Sequence, residues 1–360
     1  DLPVEDASIG YRVAYASRRR GLMQPAAIVA QQVLDRPSQD TQERMEVGEF
    51  LVERGLLEWA EREFQRMLDL DPDNPVMRVF YHNAISTVFR ARGDLVKAYE
   101  HFEKALHSEP ENPPDSTEKT PSGEFRLLSA TIYARRQYAE MLHDEGRDQD
   151  AAEVLRPLVE QLTKKNKVYE QLVGDASVSI PARMHFFRAE HYRLQGDRKQ
   201  QIEQLTQGAK HDAHDIDLLI AMYRVSEPPG EWEIQNQIRN ATRTRRVEIR
   251  RMEMLLERQA ALTEDLQSEE RRLALELNVY AWLVANTFGD YRDALRCSSR
   301  SLELVPDEPG YLDTLARCHF AVGDIEQAIH VQQQAVARDA YSGQMNRQLE
   351  LFLEHREAYP

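Results

Sequence analysis

Apolar residues recur three and four positions apart along almost the whole chain, with polar residues between them. Runs of strict apolar-polar alternation are missing, and glycines fall between the periodic segments. This pattern predicts an all-α protein. From Glu231 to Phe288 there is no glycine or proline before Gly289, which predicts two extended helices with a break near Leu262 to Glu264. A helix over 231–262 would be about 48 Å long, against roughly 20 Å for a helix of the shorter segments, so it should project from the body or brace it. The segment "QMNRQLELFLEHRE" (344–357) is amphipathic and reads as a closing helix.

The glycines set a register. Gly21 and Gly55, Gly196 and Gly230, and Gly289 and Gly323 are each 34 residues apart. Five residues after the glycine stands alanine at 26, 60, 98, 151, 294 and 328. Seven before it stands a small residue: Ala14, Gly48, Ser86, Ala139, Ala189 and Ala316. Both slots are expected where the helix before the glycine (A) meets the helix after it (B). Phe64 and Phe102 lie nine after the glycine, and Pro72, Pro110 and Pro306 lie seventeen after it, where they stop helix B.

In "GDLVKAYEHFEKALHSEP" (93–110), in "GLLEWAEREFQRMLDLDP" (55–72) and around Gly289 and Gly323 this register resembles the tetratricopeptide repeat. Eight anchors can be placed, at Gly21, 55, 93, 146, 196, 230, 289 and 323. The first and the sixth are degenerate, the sixth with Gln235 and Arg239 in the alanine and aromatic slots. The resemblance implies a right-handed α-solenoid of about eight helix pairs, with a long helical hairpin insertion and a C-terminal capping helix. The expected divisions are a leader (1–6), N-terminal repeats (7–112), a Pro/Ser-rich loop (113–123), central repeats (124–230), the extended insertion (231–274), C-terminal repeats (275–340) and the cap (341–360). After Gly146, helix B is expected to run on through "EQLTKKNKVYEQLV" before "GDASVSIP".

The formal charge is -15, from 61 acidic and 46 basic residues. That balance disfavours a general nucleic-acid binder. No run of about 18 apolar residues occurs, so the chain reads as soluble with no membrane insertion, its compartment open. Cys297 and Cys318 are the two cysteines, too few for a disulfide framework or a cysteine-only zinc site.

In the resembled family, residues 13, 10, 6 and 3 before the turn glycine face the concave groove. Carried onto this sequence, that selects Ser8, Tyr11, Tyr15 and Arg18; Phe80, Asn83, Thr87 and Arg90; Tyr133, Arg136, Glu140 and His143; and Arg183, Phe186, Glu190 and Arg193. Every basic residue among these, histidine aside, is arginine, suited to carboxylates and extended peptides. The competing reading is an ordinary solvated helix face with internal Arg–Glu pairs. The family's best-known chaperone-tail site is not matched: in the two central glycine triplets, only Arg183 supplies suitable charge at its positions.

Three further stretches carry candidate chemistry. "RNATRTRRVEIRR" (239–251) could attract phosphate or anionic lipid, or pair across a hairpin with the acidic stretch "TEDLQSEE" (263–270). "HDAHD" (211–215) offers zinc-ligand types, but turn chemistry, with Asp215 or His214 capping the next helix, explains the composition, and five residues of one segment rarely build a four-coordinate site. "LARCHFAVGDIEQAIHVQQQA" (315–335) brings Cys318 beside His319; in the repeat register these are core positions, and Cys318 is within potential reach of Cys297 on the preceding helix.

No Walker loop, dinucleotide fingerprint, G-x-S-x-G or H-E-x-x-H occurs, so no enzyme activity, cofactor or metal is expected. The leading expectation is a noncatalytic adaptor that binds a protein or peptide segment, an acidic one included, through Tyr11, Tyr15, Arg18, Phe80, Asn83, Arg90, Tyr133, Arg136, Arg183, Phe186 and Arg193. One alternative is an assembly subunit that uses 231–288 and its convex face, with oligomerisation through those helices. Another is a regulatory module of a larger enzyme or membrane protein whose remainder precedes residue 1.

Overall fold

The computed structural model describes residues 7–36, 41–109, 122–225, 230–260 and 266–358. The leader, the break at 262–264 and most of the 113–123 loop lie outside them. Among the described residues there are 18 helices and no strand. They are α1 (Ala7–Arg19), α2 (Met23–Leu34), α3 (Thr41–Glu53), α4 (Leu57–Leu70), α5 (Pro75–Ala91), α6 (Leu95–Leu106), α7 (Ser122–Asp144), α8 (Asp148–Thr163), α9 (Lys167–Val173), α10 (Ala176–Leu194), α11 (Arg198–His211), α12 (Ile216–Arg224), α13 (Glu231–Ala260), α14 (Gln267–Asn286), α15 (Tyr291–Leu304), α16 (Pro309–Ala321), α17 (Ile325–Arg338) and α18 (Gly343–Ala358).

All eight anchor glycines sit in turns between helices, and all have positive φ. At six of them the amide after the glycine donates to the carbonyl five residues back, as Leu56 N does to Leu51 O at 2.8 Å. That bond needs a left-handed residue at the helix end, which costs an L side chain about 1–2 kcal/mol and glycine nothing. The two small-residue slots are buried throughout. At Gly48 the reason is direct, because a Cβ there would overlap the Phe64 ring.

The chain divides into two compact units, residues 1–138 with 166–172, and 139–165 with 173–360. In the first, α1 to α6 stack in sequence, and Phe102 and Tyr138 stack face to face with ring centroids 4.9 Å apart. Its interior also holds an ion pair: Arg44 donates to Glu63 at 2.8 Å, and both are almost wholly buried.

In the second unit α10 packs on α8 and α11, and α12 to α18 continue the array. The expected long hairpin is present as α13 and α14, and α13, with 30 residues, is about 45 Å long. It braces the unit. Ile234, Ile238 and Ala241 pack with Leu219, Ile220 and Leu283, while Ile249 packs with Leu273, Leu277 and Tyr280. One expectation needs correction. Helix B after Gly146 does not run on: α8 ends at Thr163, Lys165 takes φ 55°, and Asn166 Oδ1 accepts from Val168 N at 3.0 Å to begin α9. In "GDASVSIP" the turn at Gly174 and Asp175 separates α9 from α10, which starts at Ala176 and carries Pro181 within it.

Candidate functional site

The A-helix face of the second unit carries a cavity of about 530 Å³. Its wall comes from the α11–α12 turn (Asp212, His214, Asp215), Asp217 on α12, Val279 and Trp282 on α14, Asp313 on α16, and Ser342, Gln344 and Met345 at the start of α18. The glycine register accounts for part of this. Asp217 stands 13 before Gly230, Val279 ten before Gly289, and Gly310 and Asp313 stand 13 and ten before Gly323.

Each acidic group is held by its neighbours. Asp215 caps α12 by accepting from Leu218 N at 2.9 Å, and burial, with Asp217 adding to it, pushes its carboxyl up to about 6. Asp217 accepts from Arg183 and from Trp282 Nε1 at 3.3 Å. Burial works against its charge, yet the Arg183 guanidinium outweighs it and holds the carboxyl below the usual range. Asp313 accepts from Gln332 and Gln348 at 2.7 and 2.9 Å, and burial pushes it up to about 6. The cation in the wall, Arg245, is engaged with Glu276 at 2.7 Å.

The residues proposed from the groove register fall into three states. Tyr11 and Phe186 are buried. Tyr11 therefore offers no surface to a ligand: its hydroxyl donates to Glu63 at 2.5 Å, and the expectation that it faces a groove is corrected to a core position. Tyr15, Phe80, Asn83, Arg90 and Arg183 are half-buried, and Arg18, Tyr133, Arg136 and Arg193 are exposed. In the second unit the arginines of this set are matched internally. Arg183 bonds Glu140 at 2.7 and 2.8 Å as well as Asp217 and lies over the Phe186 and Phe187 rings, and Arg193 bonds Glu190 at 2.8 Å. Burial opposes the Arg183 charge, but its two carboxylates hold its pKa above the ordinary arginine value.

The other candidate stretches resolve by geometry. In 239–251, Arg245 pairs with Glu276 and Arg246 with Asp293 at 3.0 Å, so the charge partners lie on α14 and α15 rather than in 263–270, of which 263–265 lie outside the described residues. In 211–215, besides the Asp215 cap, Asp212 accepts from His214 N, and no group of three or more metal-ligating side chains occurs among the described residues. Cys297 and Cys318 are free and buried. Burial pushes their thiols up to about 11 and 12, which keeps them protonated and unreactive. His319 is half-buried, and His330 is exposed.

The cavity wall was within reach of the register but lies in the sixth to eighth repeats and α18, beyond the repeats from which the groove set was taken. The signal that finds it is the same count back from Gly230, Gly289 and Gly323.

No protein-family profile matches the chain, and no curated protein does. Among solved structures, a tetratricopeptide repeat protein from Parabacteroides merdae is similar at 13% identity, covering 88% of this chain and 100% of that chain, with a TM-score of 0.37. The P58(IPK) TPR domain is 17% identical over 89% of this chain and 99% of that chain, with a TM-score of 0.22. Yeast Tom70 is 10% identical over 98% and 96%, with a TM-score of 0.24. No helix among the described residues is long and apolar enough to cross a membrane. Eight left-handed glycines joining helix pairs, five of them with buried small residues on both sides, make the described residues an all-helical array that resembles tetratricopeptide repeats.

Proposed function

We propose that the protein is a noncatalytic interaction scaffold that holds a protein or peptide segment on its A-helix face, with the cavity of the second unit as the contact centre. The observation that carries this reading is the cavity itself: α12, α14, α16 and the start of α18 contribute to one concavity with an indole, apolar side chains and directed polar groups, the composition of a recognition pocket. In the first unit, Tyr15, Arg18, Phe80, Asn83, Arg90, Tyr133 and Arg136 supply the corresponding face.

Peptide-display selection against the full chain should enrich segments whose binding is lost in Val279→Arg, which fills the cavity, while the circular dichroism spectrum is unchanged. Enriched segments that bind parent and variant equally would overturn the reading.

A second reading has its own observation. On α13, Trp232, Val247, Met254 and Leu255 are exposed, Trp232 by 71%, which suits assembly through this helix. Under that reading Val247→Glu with Met254→Glu lowers the mass in sedimentation velocity; an unchanged mass sinks it.

A further inference from the structure

We propose that Arg224 and Arg317 together form a receptor for an oxyanion on the bound segment, a carboxylate or phosphoryl group carried by a peptide side chain. This rests on the scaffold reading and names the chemistry of its ligand.

The two arginines occupy the same slot, six before Gly230 and six before Gly323, on the A helices α12 and α16. Both helices pack on α14. They differ from the other arginines of this face. Arg183 and Arg193 are closed by carboxylates. Arg224 instead donates to a neutral acceptor, Asn286 Oδ1, whose own amide donates to Trp282 O at 2.9 Å. Arg317 lies over the Phe320 ring at 5.1 Å, and its Nε is buried with no hydrogen-bond partner. Neither guanidinium is in an ion pair among the described residues.

Arg224 is exposed and Arg317 half-buried, and neither is bonded to a carboxylate, so the charged form of each lacks a direct partner anion. Burial and then the Arg224 charge push Arg317 down to about 10, although Cys318, Tyr291 and Asp313 act the other way. Arg224 is held below its ordinary value by burial and Arg193, opposed by Glu190 and Asp217. An oxyanion between them supplies the missing acceptor for Arg317 Nε and a directly bonded counter-charge for both. Guanidinium forks bind carboxylate and phosphoryl oxygens through paired, charge-assisted hydrogen bonds, and the Phe320 ring keeps the Arg317 fork from swinging away.

The test uses the full chain and the Arg Nε–H resonances in a ¹H–¹⁵N spectrum, with Arg317 assigned through Arg317→Lys. The probes are N-acetylglutamate amide, N-acetylphosphoserine amide, inorganic phosphate and, as the neutral control, N-acetylglutamine amide. At least one amino-acid oxyanion should give a saturable shift of the Arg317 resonance that the glutamine control lacks. Its affinity should fall at least tenfold in Arg224→Gln and in Arg317→Gln, and less in the Lys variants, which keep the charge. The stronger of the glutamate and phosphoserine probes identifies the source of the oxyanion.

Saturation by inorganic phosphate alone, no saturable shift at millimolar probe, or equal affinity in Arg224→Gln would each overturn the proposal. If display-selected segments are blocked by Val279→Arg but indifferent to both glutamine variants, the scaffold reading stands and the oxyanion receptor falls. If the shifts and their loss hold while Val279→Arg blocks nothing, the receptor stands and the cavity-centred reading falls.

Discussion

The carboxylate of Asp144 accepts from the backbone N–H of Gln344 at 2.9 Å, joining residues 200 positions apart. The same side chain accepts from Ser342 Oγ at 2.9 Å and Gly343 N at 3.3 Å, and Asp144 O accepts from Arg347. A residue at the end of α7 thus caps the first turn of α18, and within the second unit the last helix is anchored to the first segment. Gly343 allows the approach, since a Cβ there would collide with Asp144 O. Asp144→Ala is therefore expected to cost about 0.5–2 kcal/mol, the range for a lost helix cap. Hydrogen exchange should show the loss at the start of α18; unchanged protection there contradicts the anchoring role.

Burial against a neighbouring helix separates two alanines on α1. Ala14 is fully buried in the small-residue slot, and Ala16 is exposed. Ala14→Leu should destabilise by about 1–3 kcal/mol through overpacking, while Ala16→Leu should change stability by less than about 0.5 kcal/mol. Urea denaturation of the two variants decides; equal midpoints would refute the register.

The buried pair Arg44–Glu63 is satisfied from several sides: Tyr11 donates to Glu63, and Arg44 also donates to Val33 O and Arg36 O. Burial nevertheless raises the Glu63 carboxyl above its ordinary value. Arg44→Met leaves that carboxylate without its cation and should cost about 3–5 kcal/mol. Adding Glu63→Gln should recover part of this. The readout is Trp59 fluorescence in chains where Trp232 and Trp282 are phenylalanine; strictly additive losses would show that the two residues act independently.

Asp313 gives a pH dependence with a definite sign. Folded, its carboxyl keeps its proton up to about 6; unfolded, it releases it near the usual value of about 3.9. Between those values the folded state binds more protons, so its contribution to stability falls as pH rises through the window and the cost is complete above about pH 6. Asp313→Asn, which still accepts from Gln332 and Gln348, should stabilise the protein at pH 7 by on the order of 2 kcal/mol. The gain should vanish near pH 4. Denaturation midpoints at both pH values test this, and a gain that persists at pH 4 argues against titration as its cause.

The repeat register was legible because it rests on local necessity. A turn that requires positive φ selects glycine, and a close helix crossing selects alanine, whatever the rest of the molecule does. The interruption between α8 and α9 escaped because Lys165 takes the left-handed conformation without being glycine. Tyr11 was misplaced for a different reason: its slot faces a groove only if no neighbour covers it, and Glu63, 52 residues away, does. The Asp144 cap and the Arg183–Asp217 contact depend on how successive pairs stack, which no local spacing encodes. The cavity wall was half legible, through counts back from the last three glycines, and half not, since α18 enters it from outside the repeat.

Along α12 and α16 a carboxylate stands nearer the helix start, Asp217 and Asp313, and an arginine follows on the same face, Arg224 seven residues after the first and Arg317 four after the second. The offsets correspond to roughly 6–10 Å along the helix axis. A face with its charges sorted in this order has a head and a tail. Under the proposed scaffold reading, a segment with a cation at one end and an anion at the other would meet attraction in one direction and like charges in the reverse, so the sorting would select polarity of docking as well as composition.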